Sequence, residues 1–155
     1  YTNEHKAATA LIHYNPDLLH KLDGNGWDLF NMSARYSYNT MLFILDNYHV
    51  DVNNLLTGFT PLQNAIGTCN HYAAVELLKR CADPNKLSDR GLHVIFYIYG
   101  CTQCIWILLN SRIKIDFNVT DTRGCTVIEH FKQYVNHPER YEIIHILREN
   151  VPDIR

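Results

Sequence analysis

The sequence predicts an all-α fold: a solenoid of stacked helix-turn-helix units with projecting hairpin loops, about four to five units long. Three observations carry that expectation. Glycines stand at Gly26, Gly58, Gly91 and Gly124, spaced 32, 33 and 33 residues, each after a polar turn and before a helix-like run. Asp51-Val52-Asn53, Asp83-Pro84-Asn85 and Asp116-Phe117-Asn118 lie at one common offset from those glycines. Pairs of aliphatic residues fill the intervals between them. Glycine suits the recurring position because a tight turn often needs positive φ, which it alone adopts without steric cost.

The clearest unit is 58–85. Gly58 starts a turn, Thr60 and Pro61 open a short helix with Leu62, Ala65 and Ile66 on one face, and Cys69-Asn70-His71 interrupts it. A second helix carries Val75, Leu77 and Leu78, and the chain leaves through Ala82-Asp83-Pro84-Asn85, where proline forbids further helix and Asp and Asn favour a turn. With its period of about 33 residues, this unit resembles the ankyrin repeat, whose T-P-L-H-x-A signature stands here as Thr60-Pro61-Leu62-Gln63-Asn64-Ala65. Thr-Pro-Leu is kept in this unit alone, and the signature His in none.

Taken in order, 1–22 contains Ala7, Ala8, Ala10, Leu11 and Ile12 and reads as the second helix of a partial first repeat. The next unit, 23–55, replaces the Thr of the signature by Asp28, whose carboxylate can still cap the helix. Leu29, Phe30, Ser33 and Ala34 fill its inner helix, and Met41, Leu42, Ile44 and Leu45 its outer one. The third repeat spans 56–87. In 88–120 the signature positions read His93-Val94-Ile95-Phe96, and Ile98 stands where a small Ala is expected. A close-packed interior makes local irregularity the expectation there. The terminal unit, 121–155, starts Thr126-Val127-Ile128-Glu129 and carries about four extra residues around His137-Pro138-Glu139, which lengthen the turn between its helices. Arg140, Glu142, Arg148 and Glu149 make its last helix polar, as a water-facing cap requires. The whole of 1–155 is thus expected to be one ankyrin-repeat domain, a fragment of a larger protein.

Composition narrows the function. The chain has 155 residues, 46% hydrophobic and 19% charged, enough to bury one core. A formal net charge of -2 argues against nucleic acid as the partner, because neutralising phosphates needs a basic excess. No apolar run reaches the roughly 18 residues of a membrane span. Five cysteines, Cys69, Cys81, Cys101, Cys104 and Cys125, fit reduced thiols in cytoplasm or nucleus better than a disulfide framework. Cys101-Thr102-Gln103-Cys104 is a CxxC, a spacing used for zinc or redox chemistry, but the repeat registry places it in a turn and helix start. The nine histidines show no HExxH. Gly24-Asn25-Gly26 lacks the third glycine of a dinucleotide fingerprint, since Leu29 stands there. No enzyme activity and no cofactor are therefore expected.

The resemblance implies a non-catalytic protein-protein interaction module that binds its partner in a concave groove of hairpin tips and inner helices. In the resembled fold the residues flanking each turn glycine, and those nine and ten after it, face that groove. This implies a row of apolar anchors, Trp27, Phe59 and Leu92, and a polar rim of Arg35, Tyr36, Arg90, Arg123, Gln133 and Tyr134. The implied partner is a protein or peptide segment with apolar anchors and some acidic residues. Roles open to such a domain include inhibition of a Rel-type transcription factor, host-directed effector action, and scaffolding within a larger enzyme or channel.

Overall fold

A computed structural model describes residues 2–133 and 135–154. It is all-helical, with eight α-helices and no strand among the described residues: α1 (Thr2–Tyr14), α2 (Leu29–Tyr36), α3 (Tyr38–Asn47), α4 (Pro61–Gly67), α5 (His71–Lys79), α6 (Thr102–Leu109), α7 (Val127–Gln133) and α8 (Arg140–Asn150). Two 3₁₀ turns, Pro16–His20 and Val94–Tyr97, complete the set.

The helices stack in two columns. First helices pack on one another: α2 on α4, α4 on the 3₁₀ turn at 94–97, and that turn on α7. Second helices do the same, α1 on α3, α3 on α5, α5 on α6, and α6 on α8. Phe30, Leu62, Ile66, Ile95, Ile105, Phe131 and Leu147 are among the side chains sealed between the columns. No helix among the described residues is long and apolar enough to cross a membrane.

The local chemistry that starts each first helix recurs with the period. Asp28 accepts from the Asn31 N–H at 2.8 Å. Thr60 and Gln63 form a reciprocal capping box, with Gln63 N–H donating to Thr60 Oγ1 at 3.1 Å and Thr60 N–H to Gln63 Oε1 at 2.9 Å. Thr126 and Glu129 repeat it, and the Thr126 backbone N–H holds the Glu129 carboxyl below its usual range. The fourth cap is His93, whose Nδ1 accepts from Ile95 N–H at 3.4 Å.

That fourth unit is also where regularity breaks. Its first helix contracts to the single 3₁₀ turn at 94–97, with Ile98 fully buried where Ser33 and Ala65 stand in the two preceding units and Phe131 in the terminal one. Gly67 at the end of α4 faces this turn, where an added Cβ would lie in ordinary contact with the Tyr97 carbonyl at 3.7 Å. The irregularity expected from the size of Ile98 takes the form of lost helix.

Each Asp-x-Asn ending works as a staple. The Asp folds its own turn, as when Asp83 Oδ1 accepts from Asn85 N–H at 2.9 Å. The Asn side chain then reaches one unit on: Asn53 Oδ1 accepts from Asp83 N–H at 2.8 Å, and Asn85 Oδ1 from Asp116 N–H at 3.0 Å. Buried amides join the first helices too, Asn64 Nδ2 donating to Asn31 Oδ1 at 2.9 Å. The Asn bonds satisfy backbone N–H groups of the next unit's exit turn, and the amide pair ties two helices side chain to side chain.

Helix α5 ends on a residue that is not ideal for its place. Cys81 sits at φ 63°, with its N–H on Leu78 O at 3.1 Å and the Ala82 N–H on Leu77 O at 2.9 Å, the double bond pattern that normally carries glycine. Cys81 is exposed and free, so nothing offsets its left-handed backbone. Cys81→Gly is expected to stabilise the chain by about 0.5 to 1 kcal/mol, read as a higher urea midpoint at unchanged slope. An unchanged or lower midpoint would remove this account of the turn.

Two cysteines depart from expectation. Cys69 and Cys101 form a disulfide with Cα atoms 5.9 Å apart, whereas Cys81, Cys104 and Cys125 are free. The reduced-thiol reading is thus corrected for this pair. The cause is registry: the two residues lie 32 apart, one period, so stacking sets the inter-helix turns of adjacent units side by side.

Candidate functional site

Three of the four hairpins are held by an oxygen-bearing side chain three residues before the turn glycine, and in the second, where Leu55 stands there, Gly58 N–H closes on Leu55 O at 2.9 Å. Asp23 Oδ1 accepts from Asn25 N–H at 2.8 Å and Trp27 N–H at 2.9 Å, while Gly26 N–H closes on Asp23 O at 3.0 Å. Those backbone donors, Trp27 first, hold the Asp23 carboxyl below the usual range. Asp121 does the same with Arg123 and Cys125 at 2.8 and 3.0 Å. Burial pushes its carboxyl up, but the His130 imidazole at 2.9 Å and those two N–H groups together outweigh that and leave it lowered. Ser88 stands in for Asp in the third hairpin, its hydroxyl accepting from Leu92 N–H at 3.2 Å and from Tyr97 Oη–H at 2.9 Å. The turn glycines hold φ between 71° and 80°, so every hairpin delivers the residue after its glycine in the same direction.

Of the nine residues assigned to the groove, the structure brings five together. Trp27 and Phe59 stack with ring centroids 6.3 Å apart, and Phe59 meets Tyr97 edge-on at 5.4 Å. The Arg35 guanidinium lies 5.5 Å from the Trp27 ring centre and 5.3 Å from that of Tyr36, and Arg90 lies 6.0 Å from that of Phe59. Arg35, Phe59, Arg90 and Leu92 line one recess of about 220 Å³, floored by Gln63 and Asn64 of α4. All three anchors are half-buried: Phe59 and Leu92 pack against the core, and Trp27 stacks on Phe59.

The remaining positions stand apart from this recess. Tyr36 is 63% exposed at the end of α2, touching only the rim through Arg35. Arg123 and Gln133 are exposed in the terminal unit, away from the recess. Tyr134 lies outside the described residues.

Sequence reasoning missed Tyr97 and Tyr99, which line the recess beside Phe59. Their signal was the run of six consecutive aliphatic and aromatic positions after His93, which reads as core helix and not as a surface. Larger hollows lie elsewhere, one of them between α5 and α6, about 790 Å³, walled by Val75, Leu78, Trp106, Ile107, Arg112 and Ile113. It lies among second helices.

Among the described residues one group of three metal-capable side chains comes together, Cys69, Cys101 and Cys104, with sulfurs within 4.8 Å of one another. Cys101 caps α6 and Cys104 sits in its first turn, where burial pushes the thiol up to about 12.

No curated protein matches this chain. The family model described as the ankyrin repeat matches residues 57–89, the stretch that holds Phe59, the Thr60–Gln63 capping box, α4, α5 and the Asp83-Pro84-Asn85 staple, so this unit of the all-α stack is similar to an ankyrin repeat.

Proposed function

We propose that the chain is a non-catalytic protein-interaction domain, a partial repeat at 1–22 followed by repeats at 23–55, 56–87, 88–120 and a terminal one at 121–155. It takes a partner segment on the face of Trp27, Phe59 and Leu92. The observation that supports this most is the continuous strip Arg35, Trp27, Phe59, Arg90, built across three successive hairpins by ring and guanidinium contacts. Aromatic and Arg side chains combine apolar area with directional bonding and dominate the energetics of protein interfaces.

Neither Arg35 nor Arg90 has a carboxylate within ion-pair distance among the described residues. Their positive charge is held by ring faces, which leaves it free to meet an acidic group of the partner. The family is an interaction module in general. Inhibitory, effector or scaffold use of this face would follow from the partner's identity, and the free thiols Cys81, Cys104 and Cys125 support an intracellular compartment.

The test begins with affinity capture and mass spectrometry to identify the partner, followed by titration. Trp27→Ala, Phe59→Ala and Leu92→Ala are each expected to weaken binding by about 1 to 4 kcal/mol, with a smaller effect on the melting temperature. Lower stability with unaltered affinity would assign these residues to packing between hairpins and end the groove reading. Arg35→Glu combined with Arg90→Glu is expected to weaken binding at low salt. Unchanged affinity there would remove the acidic character of the partner while leaving the apolar part standing.

A further inference from the structure

The sulfur cluster is unexplained by protein binding. Cys69 lies in the turn between α4 and α5, at φ 57°, and is exposed. Cys101 is 94% buried at the N-cap of α6, and Cys104 is fully buried one turn on. The inter-helix turns of the third and fourth units meet here, so the N-terminal ends of α5 and α6 both approach the bond. The partial positive charge of a helix N-terminus favours thiolate over thiol, for the attacking sulfur and for a departing one.

We propose that Cys69 and Cys101 are a redox-modifiable dithiol whose substrate is a low-molecular-weight disulfide of the glutathione class, with Cys69 the entry sulfur and Cys101 the resolving sulfur. In the first step the Cys69 thiolate attacks one sulfur of glutathione disulfide. A bond forms between Cys69 Sγ and that sulfur, the glutathione S–S bond breaks, and one glutathione thiolate departs and takes up a proton. In the second step the Cys101 thiolate attacks Cys69 Sγ, the mixed disulfide breaks, and the second glutathione leaves. Two protein thiols and one glutathione disulfide become one protein disulfide and two glutathione thiols, and an excess of glutathione thiol runs the sequence backwards.

The assignment of roles follows from exposure. An entering tripeptide can reach the exposed Cys69, whereas Cys101 and Cys104 are shut away from it. Cys104 sits close enough to compete for Cys101, but its thiol is held protonated by burial and its hydrogen is directed at the Ile66 carbonyl, 3.9 Å away. The product is the bond present in the structure. It ties the third unit to the fourth and closes a loop that carries Arg90, Leu92 and Tyr97. In a compartment that keeps thiols reduced, such a link forms only when the glutathione pool is oxidised.

The full chain, reduced and freed of reductant, is treated with glutathione disulfide and followed by intact-mass and peptide-mapping mass spectrometry. The wild type is expected to lose two hydrogens across Cys69 and Cys101 with no lasting adduct on either, whatever the exposed Cys81 takes up, and to melt higher than the reduced chain. Cys101→Ser is expected to trap one glutathione on Cys69, and Cys69→Ser to take up none at Cys101 or Cys104. A bond mapping to Cys101 and Cys104 overturns the proposal, as does a Cys101→Ser chain left unmodified at Cys69 under conditions that modify Cys81. So does reduced wild type that carries one equivalent of zinc lost in each of Cys69→Ser, Cys101→Ser and Cys104→Ser, which would make the trio a metal site. The wild-type mapping needs no substitution, so a variant that fails to fold leaves the proposal exposed to refutation.

Discussion

Gly100→Ala is expected to destabilise the chain by about 2 to 4 kcal/mol, because a methyl group there meets two obstacles at once. The backbone at Gly100 has φ 106°, a conformation that L side chains rarely adopt. The new Cβ would also lie 2.1 Å from Nδ1 and 2.2 Å from Cγ of His137. Contact with Cγ means that the base of the ring is in the way, so a small rotation of the imidazole does not clear it. His137 is itself engaged: its Nδ1 accepts from Glu139 N–H at 3.3 Å, its carbonyl from Arg140 N–H at 3.1 Å, and Glu139 Oε2 in turn accepts from Thr102 N–H at 3.3 Å. Moving the ring therefore loosens the turn that starts α8 and its hold on α6.

A double-mutant cycle separates the two obstacles. In a His137→Ala background, Gly100→Ala keeps the backbone penalty and loses the steric one, so its effect on the urea midpoint is expected to shrink by half or more. An equal penalty in both backgrounds would show that His137 does not occupy the notch in solution.

This contact shows where the sequence was legible and where it was not. The extra residues around Pro138 stood out against the 33-residue period, and the structure has them in the turn 135–139 that precedes α8. That the insertion folds back onto the preceding unit could not be read, because Gly100 looks like any loop glycine until a ring is set against it. The same division holds for the helix starts. Asp28, Thr60 and Thr126 announce themselves by side-chain oxygens at one period, but His93 reads as a worn signature until its ring nitrogens are seen in use. At the groove, periodicity placed Trp27, Phe59 and Leu92 on successive hairpins because one turn geometry repeats. It could not place Tyr97 and Tyr99, since the collapse of the first helix to a 3₁₀ turn is what carries them to the recess. The disulfide was legible in principle: Cys69 and Cys101 are one period apart, and period-related positions in a stack are neighbours.

His93 leads to the second large effect, a loss of stability between pH 6.5 and about 4. Its side chain is 1% exposed, and burial holds its pKa down at about 4, with Asp116 and Asp83 only partly opposing that depression. Hydrogen bonding agrees with a neutral ring: Nδ1 accepts from Ile95 N–H at 3.4 Å, so Nε2 carries the proton and donates to Asn85 Oδ1 at 3.2 Å. A second proton would have to sit on Nδ1, facing another donor. The unfolded chain binds that proton at an ordinary value of about 6.5. Between about 6.5 and 4 the unfolded state therefore holds more protons than the folded one, and stability falls as pH falls through that window and levels off below it. The full contribution is about 3 kcal/mol, since a tenfold change in proton affinity corresponds to about 1.4 kcal/mol. Carboxylates also begin to titrate at the low end, so the measurement is a difference: urea midpoints of wild type and His93→Thr across the window. Thr keeps an oxygen at the cap, as in the units that start at Thr60 and Thr126, and has nothing to titrate. The wild type is expected to lose stability more steeply than the variant, and the His93 ring resonance to titrate near 4 in the folded protein. Parallel pH profiles, or a midpoint for the ring near 6.5, would mean that this unit opens to water at His93 and that its 3₁₀ turn is not the sealed boundary on which the Asn85 staple and the third hairpin depend.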